Sequence, residues 1–188
     1  MSASENIGRK AVDALQALGS QIGTPSGQML SAAEMIAASY SVAASLRARA
    51  CAADEPVVLF IANEPLDLAG FLGVWLAGGV AVPIHVATPA TPPRALVTRL
   101  GSRFAIRAGS LSSVGAAHPP SRSLLTGAAL IIFTSGSTGL PKGVVLGHKG
   151  LSWKLDALAR LLTFTQHDAV ALQRPLECDR RSRFQTFC

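Results

Sequence analysis

Short runs of apolar residues recur along the middle of the chain and predict buried strands. The runs lie at Val57–Ala62, Val80–Ile84, Ala128–Phe133 and Gly143–Leu146. Continuous apolar runs of this length are typical of strands that are covered on both faces, as in parallel sheets. Pro83 predicts that the second strand lies at an edge of the sheet or at a strand end, because proline has no N–H to donate.

Longer segments with helical periodicity separate these runs. Ser31 followed by Glu34 is a capping-box pattern, which predicts a helix from there to about Ala50. Leu66–Ala77 predicts a second helix, and Gly78-Gly79 ends it. The apolar face of the first of these helices consists of Met35, Val42 and Leu46.

The alternation of strands and helices predicts the fold class. Further helices are predicted at residues 1–20, Thr91–Leu100 and Lys149–Leu162, and a short strand at Arg103–Arg107. Their apolar faces are Ile7, Ala11, Leu15 and Leu18; Leu96, Val97 and Leu100; and Leu151, Leu155, Leu158 and Leu162. Strands that alternate with helices predict an α/β fold, with layered βαβ units and a largely parallel sheet flanked by helices.

The remaining segments suggest how the chain is divided. Residues 1–30 are predicted to form an N-terminal helix and linker, 31–175 the α/β domain, and 176–188 a basic, disordered tail. Gly109–Thr126 is rich in serine, glycine and proline and predicts a surface linker. Val170–Leu172 is the predicted start of another strand.

Composition and charge narrow the classes of function. Of the 188 residues 49% are hydrophobic and 15% are charged, which excludes a largely disordered chain. The net charge of +6 is scattered apart from the arginine-rich tail, and no recognition motif accompanies it, so no nucleic-acid partner is expected. The uncharged stretch Leu68–Pro93 is interrupted by Gly78-Gly79 and Pro83, which favours a short helix and a strand over a membrane span.

The cysteines and the N-terminus predict a cytoplasmic protein. Cys51, Cys178 and Cys188 form no CxxC pair and have no histidine at metal-ligand spacing, so no metal site is expected from them. A sparse, odd number of cysteines is typical of a reducing compartment. Charged residues interrupt the N-terminal segment, which therefore lacks the apolar core of a signal peptide.

The segment Phe133-Thr-Ser-Gly-Ser-Thr-Gly-Leu-Pro-Lys-Gly143 carries the clearest chemistry. It follows a predicted buried strand, and its glycines allow the backbone to approach a ligand closely. Successive backbone N–H groups in such a turn form an anion-binding nest. Hydroxyl groups and the ammonium group of Lys142 add donors, so the ligand that fits best is a polyphosphate.

Other known loop motifs match the residue types and spacing of this loop less well. A Walker A loop has glycine before its lysine and serine or threonine after it, whereas Pro141 and Gly143 flank Lys142. The loop lacks the GxGxxG spacing of dinucleotide sites. Gly136 and Gly139 lie one residue too close together for a GxSxG nucleophile elbow. An ordinary Ser/Gly turn between strands remains the alternative.

The spacing T-S-G-S-T-G-x-P-K-G resembles the phosphate loop of adenylate-forming enzymes: acyl-CoA synthetases, the adenylation domains of nonribosomal peptide synthetases, and luciferases. Val144-Val145-Leu146-Gly147-His148 resembles the strand, spacer and histidine that follow the loop in this family. Upstream, Asn63-Glu64-Pro65 and the segment from Phe71 to Ile84 resemble another family segment. The resemblance covers about Ser31 to Pro175.

This resemblance implies a reaction and its participants. A small-molecule carboxylate and ATP would give an acyl-adenylate and pyrophosphate, and a thiol of coenzyme A or of a carrier's phosphopantetheine would then take the acyl group. Mg²⁺ would share the charge of the phosphates. By position, the implied phosphate-binding residues are Thr134, Ser135, Gly136, Ser137, Thr138, Gly139 and Lys142. His148 matches a family histidine near the acyl pocket; a histidine satisfied by backbone groups at a strand end is the alternative.

The chain also departs from the family. An aromatic–Gly–x–Thr–Glu segment, the aspartate for the ribose and the mobile C-terminal domain with its catalytic lysine are all missing from this sequence. The chain therefore resembles an N-terminal portion that we expect to be inactive alone, and its arginine-rich end is typical of a frameshift or premature stop. His85, His118 and His167 have no partner pattern, and Trp75 and Trp153 are expected in the core.

Three functions remain open from the sequence. The first is an inactive fragment of an acid–thiol ligase. The second is a non-catalytic or split-half partner that another chain completes, either a missing C-terminal half or a carrier protein. The third is a basic fragment associated with nucleic acid or membrane, which rests only on the charge and on Leu68–Pro93. The identity of the carboxylic acid is not encoded in these motifs.

Overall fold

The computed structural model describes residues 6–19, 21–23, 27, 29–86, 93–115, 123–134 and 142–162, apart from the side chains of residues 18 and 93–96. The helices are α1 (Ile7–Leu18), α2 (Ala32–Ala48), α3 (Pro65–Ala77), α4 (Pro93–Leu100) and α5 (His148–Leu162). The strands are β1 (Gln21–Gly23), β2 (Met29–Ser31), β3 (Pro56–Ile61), β4 (Val80–His85), β5 (Phe104–Arg107), β6 (Ser110–Ser113), β7 (Ala128–Thr134) and β8 (Lys142–Gly147). A 3₁₀ turn lies at Ser123–Leu125.

A six-stranded mixed sheet organises the described part of the chain. Its strand order is β6-β5-β3-β4-β7-β8. The four inner strands are parallel to one another, and β6 and β8 pair antiparallel at the two edges. The short strands β1 and β2 form a separate hairpin. The predicted α/β fold with a largely parallel sheet is confirmed.

Helices cover both faces of the sheet. The chain passes from β3 through α3 to β4, and then back through α4 to β5 on the other side of β3. Because βαβ crossovers are right-handed, α3 and α4 lie on opposite faces. Alternate residues of β3 confirm this: Val57 and Leu59 pack with residues of α2 and α3, whereas Val58 packs with Val97 of α4.

The predicted helix ends agree with the structure. The Ser31 Oγ atom accepts a hydrogen bond from the Glu34 N–H (3.3 Å), and the Glu34 carboxylate accepts one from the Ser31 N–H (2.9 Å). Gly78 ends α3 with a φ of 88°, a left-handed conformation that glycine adopts without steric cost. Met35, Val42 and Leu46 are buried, as their spacing predicted.

Pro83 was predicted to lie at a sheet edge or at a strand end, and the structure contradicts the sheet edge: Pro83 is the fourth of the six residues of β4. β4 lies between β3 and β7, and Pro83 is registered with Leu59 of β3. The registered pairing of β4 with β7 is at Ala81–Leu130, two residues before the proline. β4 is thus a central strand. The backbone N–H that proline lacks would lie past the residue of β4 that is registered with β7.

The predicted surface linker at Gly109–Thr126 is also partly wrong. Ala108 and Gly109 have φ values of 47° and 74°, and they form a tight turn into β6, which pairs with β5. Leu125 in the 3₁₀ turn is buried in the core. Serine-rich β6 lacks the apolar signal of a buried strand because it lies at the sheet edge, and residues 116–122 are outside the described part.

The apolar face of α5 is largely exposed, contrary to the expectation for Trp153. This side chain is 70% exposed, so it is not a core residue. Leu155, Leu158 and Leu162 are also exposed. Trp75, in contrast, packs between core clusters as expected.

Several predictions fall on residues that the structure does not describe. They are the Thr91 cap, the Leu96 and Leu18 side chains, the strand at Val170–Leu172, the tail at 176–188, Cys178, Cys188, His118 and His167. Of the helices in the described ranges, none has the length and hydropathy needed to cross a membrane.

A buried ion pair joins the amino ends of two parallel strands. Glu55, before β3, is 2% exposed and accepts hydrogen bonds from Nε (2.7 Å) and Nη2 (2.6 Å) of Arg103, before β5. The neighbouring thiol of Cys51 has a pKa raised to about 12, first by burial and then by the negative charge of Glu55. A buried, doubly hydrogen-bonded ion pair thus joins the amino ends of β3 and β5.

Candidate functional site

The loop that the sequence singled out is closed by the β7–β8 hairpin. Thr134, the last residue of β7, is registered opposite Lys142, the first residue of β8. The Thr134 hydroxyl donates to the Lys142 carbonyl oxygen over 3.4 Å. The loop thus begins and ends at one rung of the sheet, with an exposed lysine side chain at its exit. The intervening candidates Ser135, Gly136, Ser137, Thr138 and Gly139 lie outside the described residues.

Parallel pairing puts this loop at the carboxyl edge of the sheet. β7 runs parallel to β4, and their register is Ala81–Leu130. Continued by four residues on each strand, this register sets His85 level with Thr134. Ligands of open α/β sheets bind at the carboxyl ends of the strands, where successive crossovers leave on opposite faces. In this fold that place lies between the ends of β3 and β4, next to β7.

Two polar side chains meet at this place, between the carboxyl ends of β3 and β4. Nδ2 of Asn63, which follows β3, lies 3.2 Å from Nε2 of His85 at the end of β4. Asn63 has a φ of 64°, and Asp67 orders the turn around it by accepting hydrogen bonds from the N–H groups of Ala62 (2.8 Å) and Glu64 (2.9 Å). The sequence analysis gave His85 no role. The available signal was its place at the end of a predicted parallel strand.

Packing behind the hairpin holds its two strands. The Phe133 ring lies against Gly143 on the facing strand, where an added Cβ would be 3.4 Å from the ring. At the other end of the hairpin a register irregularity falls at Ala129. The Trp75 indole N–H donates to the Ala129 carbonyl oxygen over 2.7 Å, which satisfies that group. The loop is therefore presented by an anchored hairpin.

His148 lies at the opposite end of β8 from Lys142. Strand β8 has six residues, so the two residues are roughly 20 Å apart. His148 is 2% exposed, and its Nδ1 atom accepts a hydrogen bond from the Ile7 N–H (3.2 Å). Its ring meets the Trp75 ring edge-on at 6.5 Å. The described contacts of this ring are thus with α1 and α3, and the acyl-pocket role stays a prediction.

Burial makes His148 a source of pH-dependent stability. Desolvation lowers its pKa, and the negative charge of Asp54 opposes this more weakly. The unfolded chain therefore binds more protons than the folded chain as the pH falls below about 6.5. Protonation of Nδ1 would also remove the acceptor for the Ile7 N–H. The contribution of neutral His148 to the free energy of unfolding is fully present above the unfolded-state pKa and is lost as the pH falls.

We expect the free energy of unfolding to decrease between pH 7.5 and pH 5.5, by at most about 1.4 kcal/mol per pH unit from this group. His148→Asn keeps an acceptor near the position of Nδ1 but does not titrate, so the decrease should be smaller in this variant. Urea unfolding at both pH values measures the difference. The same pH dependence in both proteins would assign the effect to other groups.

A protein-held magnesium site is not evident near the loop. Among the described residues, no group of three histidine, cysteine, aspartate or glutamate side chains can hold a metal ion. Mg²⁺ is usually held by one or two carboxylates together with substrate phosphates. Thr134 and Lys142 supply a hydroxyl and an ammonium group instead. These residues do not fit a resident magnesium ion.

Comparisons with known proteins agree with this architecture. Residues 107–187 match the family described as AMP-binding enzyme. The chain is 34% identical over 112 residues to the probable non-canonical nonribosomal peptide synthetase CymA of Salinispora arenicola, covering 59% of this chain and 1% of that protein. The chain spans between 1% and 12% of the curated relatives considered.

Solved structures share the fold. ATP-bound MatB from Rhodopseudomonas palustris superposes with a TM-score of 0.67 at 23% identity, over 86% of this chain and 38% of MatB. The inhibitor-bound N-terminal domain of FACL13 from Mycobacterium tuberculosis superposes with a TM-score of 0.58 at 24% identity, over 76% of this chain and 44% of that domain. At these identities the likeness concerns the fold.

Proposed function

Because the chain belongs to the AMP-binding (adenylate-forming) superfamily and covers part of the N-terminal domain of its structural relatives, we propose that it carries the ATP phosphate-binding loop of an acid–thiol ligase. The observation that supports this most is the hairpin that closes the Thr134–Lys142 loop at the carboxyl edge of the sheet. The proposed phosphate-binding residues are Thr134, Ser135, Gly136, Ser137, Thr138, Gly139 and Lys142.

The reaction of the complete ligase has two steps. A carboxylate oxygen attacks the α-phosphorus of ATP, the bond from that phosphorus to the bridging oxygen breaks, and pyrophosphate leaves. A thiolate of coenzyme A or phosphopantetheine then attacks the acyl carbon and releases AMP. Negative charge moves onto the β- and γ-phosphates in the first step. The loop would stabilise this charge by positioning and electrostatics.

Lys142 is well placed for this role. Its backbone is fixed by pairing with Thr134, whereas its side chain is exposed at the mouth of the loop. An ammonium group binds phosphate as a compact point charge, so its hydrogen bonds do not require one fixed orientation. Magnesium would arrive with the nucleotide. The role proposed for His148 is at the acyl-pocket side of the site. It lies roughly 20 Å from Lys142 along β8.

Replacing Lys142 with methionine should weaken ATP binding about 10- to 100-fold, because a hydrogen bond to a charged group contributes about 1.5–3 kcal/mol. Equilibrium dialysis with radiolabelled ATP and the full chain measures this. Lys149→Met is the matched control, since Lys149 is an exposed lysine in the first turn of α5, at the far end of β8. Equal ATP affinity of the Lys142 variant and the wild type, or no ATP binding by the wild type, would contradict the proposal.

We also propose that the chain by itself has no ligase activity, because the family's catalytic lysine and adenine-binding motif have no counterpart in this sequence. Groups that act together in catalysis lose most of their effect when their partners are absent. A pyrophosphate-release assay with the pure chain should show no carboxylate-dependent rate. Turnover would overturn this part of the proposal and leave the phosphate-binding role standing.

A second candidate function is a split-half partner that is completed by another polypeptide. The specific observation in its favour is the exposed apolar face of α5.

A further inference from the structure

Helix α1 is fastened to the rest of the chain at its N-terminal end. The Nδ2 atom of its N-cap, Asn6, donates a hydrogen bond to the Trp75 carbonyl oxygen over 2.6 Å. The Ile7 N–H lies in the first turn, where backbone donors have no partner within the helix. It donates instead to Nδ1 of His148, the first residue of α5, over 3.2 Å. One group of α3 and one of α5 thus bind the start of α1.

The packing of α1 is also concentrated at this end. The buried residues in the described part of the helix all lie in its first half: Ile7, Gly8 and Val12. A Cβ atom added at Gly8 would lie 2.8 Å from the Trp75 Cβ atom, so this half approaches α3 closely. The second half borders an open groove on α2, and Gly19 ends the helix with a φ of 60°. α1 is therefore attached by its first half, and the glycine at its other end allows the backbone to turn there.

Only the neutral form of His148 fits this attachment. Because Nδ1 accepts the Ile7 N–H, the proton of the neutral ring is on Nε2. Protonation would place a second N–H group opposite the Ile7 N–H, and two donors cannot bond to each other. The N-terminus of α1 also carries a partial positive charge, which repels an imidazolium ion. The attachment and the protonated ring therefore exclude one another.

The charges around this contact do not cancel that conflict. The charged side chains on the neighbouring elements include Arg9 and Lys10 near the start of α1, Lys149 and Asp156 on α5, and Asp54 before β3. Lys10 and Asp156 neutralise each other in an ion pair. Asp54 favours the imidazolium ion, but the effect of burial is larger. β7 has no charged residue, and Asp67 on α3 and Lys142 on β8 lie at the far ends of their elements.

We propose that His148 is a pH-sensitive latch for α1. The neutral ring holds the helix against α3 and α5 by accepting the Ile7 N–H, and the imidazolium ion releases the helix while the sheet stays folded. Release exposes the His148 ring and the edge of Trp75 that it meets. A loss of global stability does not require this local opening, since a histidine that is exposed only on complete unfolding gives the same pH dependence.

Native-state hydrogen exchange of the full chain tests the latch at pH 7.5 and pH 5.5, with each rate divided by the intrinsic exchange rate at that pH. Amides of α1 should exchange through an opening with a lower free energy and a smaller urea dependence than amides of β3. The protection of α1 should fall about 3- to 10-fold between the two pH values. A group that titrates near pH 6.5 in the released state alone gives at most about a tenfold change over this interval.

Three variants separate the latch from other causes. His148→Asn keeps an acceptor but takes up no proton, so its α1 protection should be the same at both pH values. His85→Asn is the matched control: this histidine ends β4, at the opposite end of the sheet, and its replacement should leave the wild-type response unchanged. Asp156→Asn removes the ion-pair partner of Lys10 and should lower α1 protection about 2- to 5-fold, equally at both pH values.

Three results would overturn the proposal. Amides of α1 and β3 exchange with the same free energy and urea dependence at both pH values, which would mean that α1 leaves only on complete unfolding. The α1 protection of His148→Asn falls with pH as much as that of the wild type, which would assign the response to other groups. The response is lost in His85→Asn, which would assign it to that histidine. The first result needs the wild type alone, so poor folding of His148→Asn still leaves the latch open to refutation.

Discussion

Replacing Arg103 with leucine is expected to lower the free energy of unfolding by about 3–5 kcal/mol. The guanidinium group makes two hydrogen bonds to the Glu55 carboxylate, at 2.7 and 2.6 Å, and a third to the Ala50 carbonyl oxygen at 2.9 Å. The Glu55 side chain is fully buried. Removing the arginine leaves a buried carboxylate whose charge no longer has its partner, and this desolvated charge causes the loss.

Urea unfolding of the variant and of the wild type measures this effect. A domain of this size is stable by about 5–15 kcal/mol, so the change is a large fraction of the total. Arg103→Lys should recover only part of it, because an ammonium group cannot make the two-pronged contact. Arg49→Leu is the control: its contact with Ser113 is exposed and 3.4 Å long, and it should change stability by less than about 0.5 kcal/mol. A similar small change in Arg103→Leu would show that the ion pair contributes little.

Gly73→Ala should cost about 1–3 kcal/mol or more, although alanine is the better helix former. A Cβ atom at this position would lie 2.5 Å from the Val42 side chain and 2.8 Å from the Ser39 carbonyl oxygen. Both are on α2, which packs against α3. Because a backbone atom of α2 is among the obstacles, a rotamer change cannot remove the clash. The two helices must separate, and the core on this face of the sheet loses its packing.

Gly70→Ala provides a control within the same helix. Its Cβ would meet Leu59 at 3.4 Å and Ile106 at 3.6 Å, which are ordinary contacts. This variant should have unchanged stability or gain about 0.5–1 kcal/mol from helix propensity. Thermal or urea unfolding of both variants settles the comparison. Equal stabilities of the two variants would contradict the close approach of α2 and α3 at Gly73.

The proposed ligand-binding loop and the buried ion pair lie at opposite ends of the parallel strands. Arg103 and Glu55 join the amino ends of β5 and β3, whereas Thr134 ends β7 and Lys142 lies opposite it at the start of antiparallel β8. Substitutions of the ion pair should therefore act on stability, and substitutions of Lys142 on ligand binding. This division follows from parallel pairing, which gathers all carboxyl ends at one edge.

Local patterns in the sequence were sufficient for the main helices and for the strands with continuous apolar runs. The cap at Ser31 and the stop at Gly78 depend on neighbouring residues only, so capping rules locate both ends correctly. Strands β3, β4, β7 and β8 agree with their apolar runs to within a residue or two at each end. The loop between Thr134 and Lys142 is a contiguous motif, so its phosphate-binding role could be predicted from neighbouring residues alone.

Positions that depend on pairing partners were missed. β6 contains three serines and one leucine, and it is a strand because the turn at Ala108-Gly109 returns the chain along β5. Pro83 is tolerated in a central strand because the registered pairing of β4 with β7, at Ala81–Leu130, lies two residues before it. The meeting of Asn63 with His85 arises from the register of β3 and β4. None of these facts is local in sequence.

The sequence by itself determined the α/β class and the order of the main helices and inner strands, and it predicted the loop between β7 and β8 as a phosphate loop, because propensities, caps and glycine placement act over a few residues. Only the tertiary structure decided which strands are neighbours, that His148 is buried, and that Leu155, Leu158 and Leu162 of α5 are exposed in the described part of the chain. Burial and strand pairing join residues far apart in the chain. A helical stripe therefore predicts that a face is apolar, and the assembled fold decides what covers it.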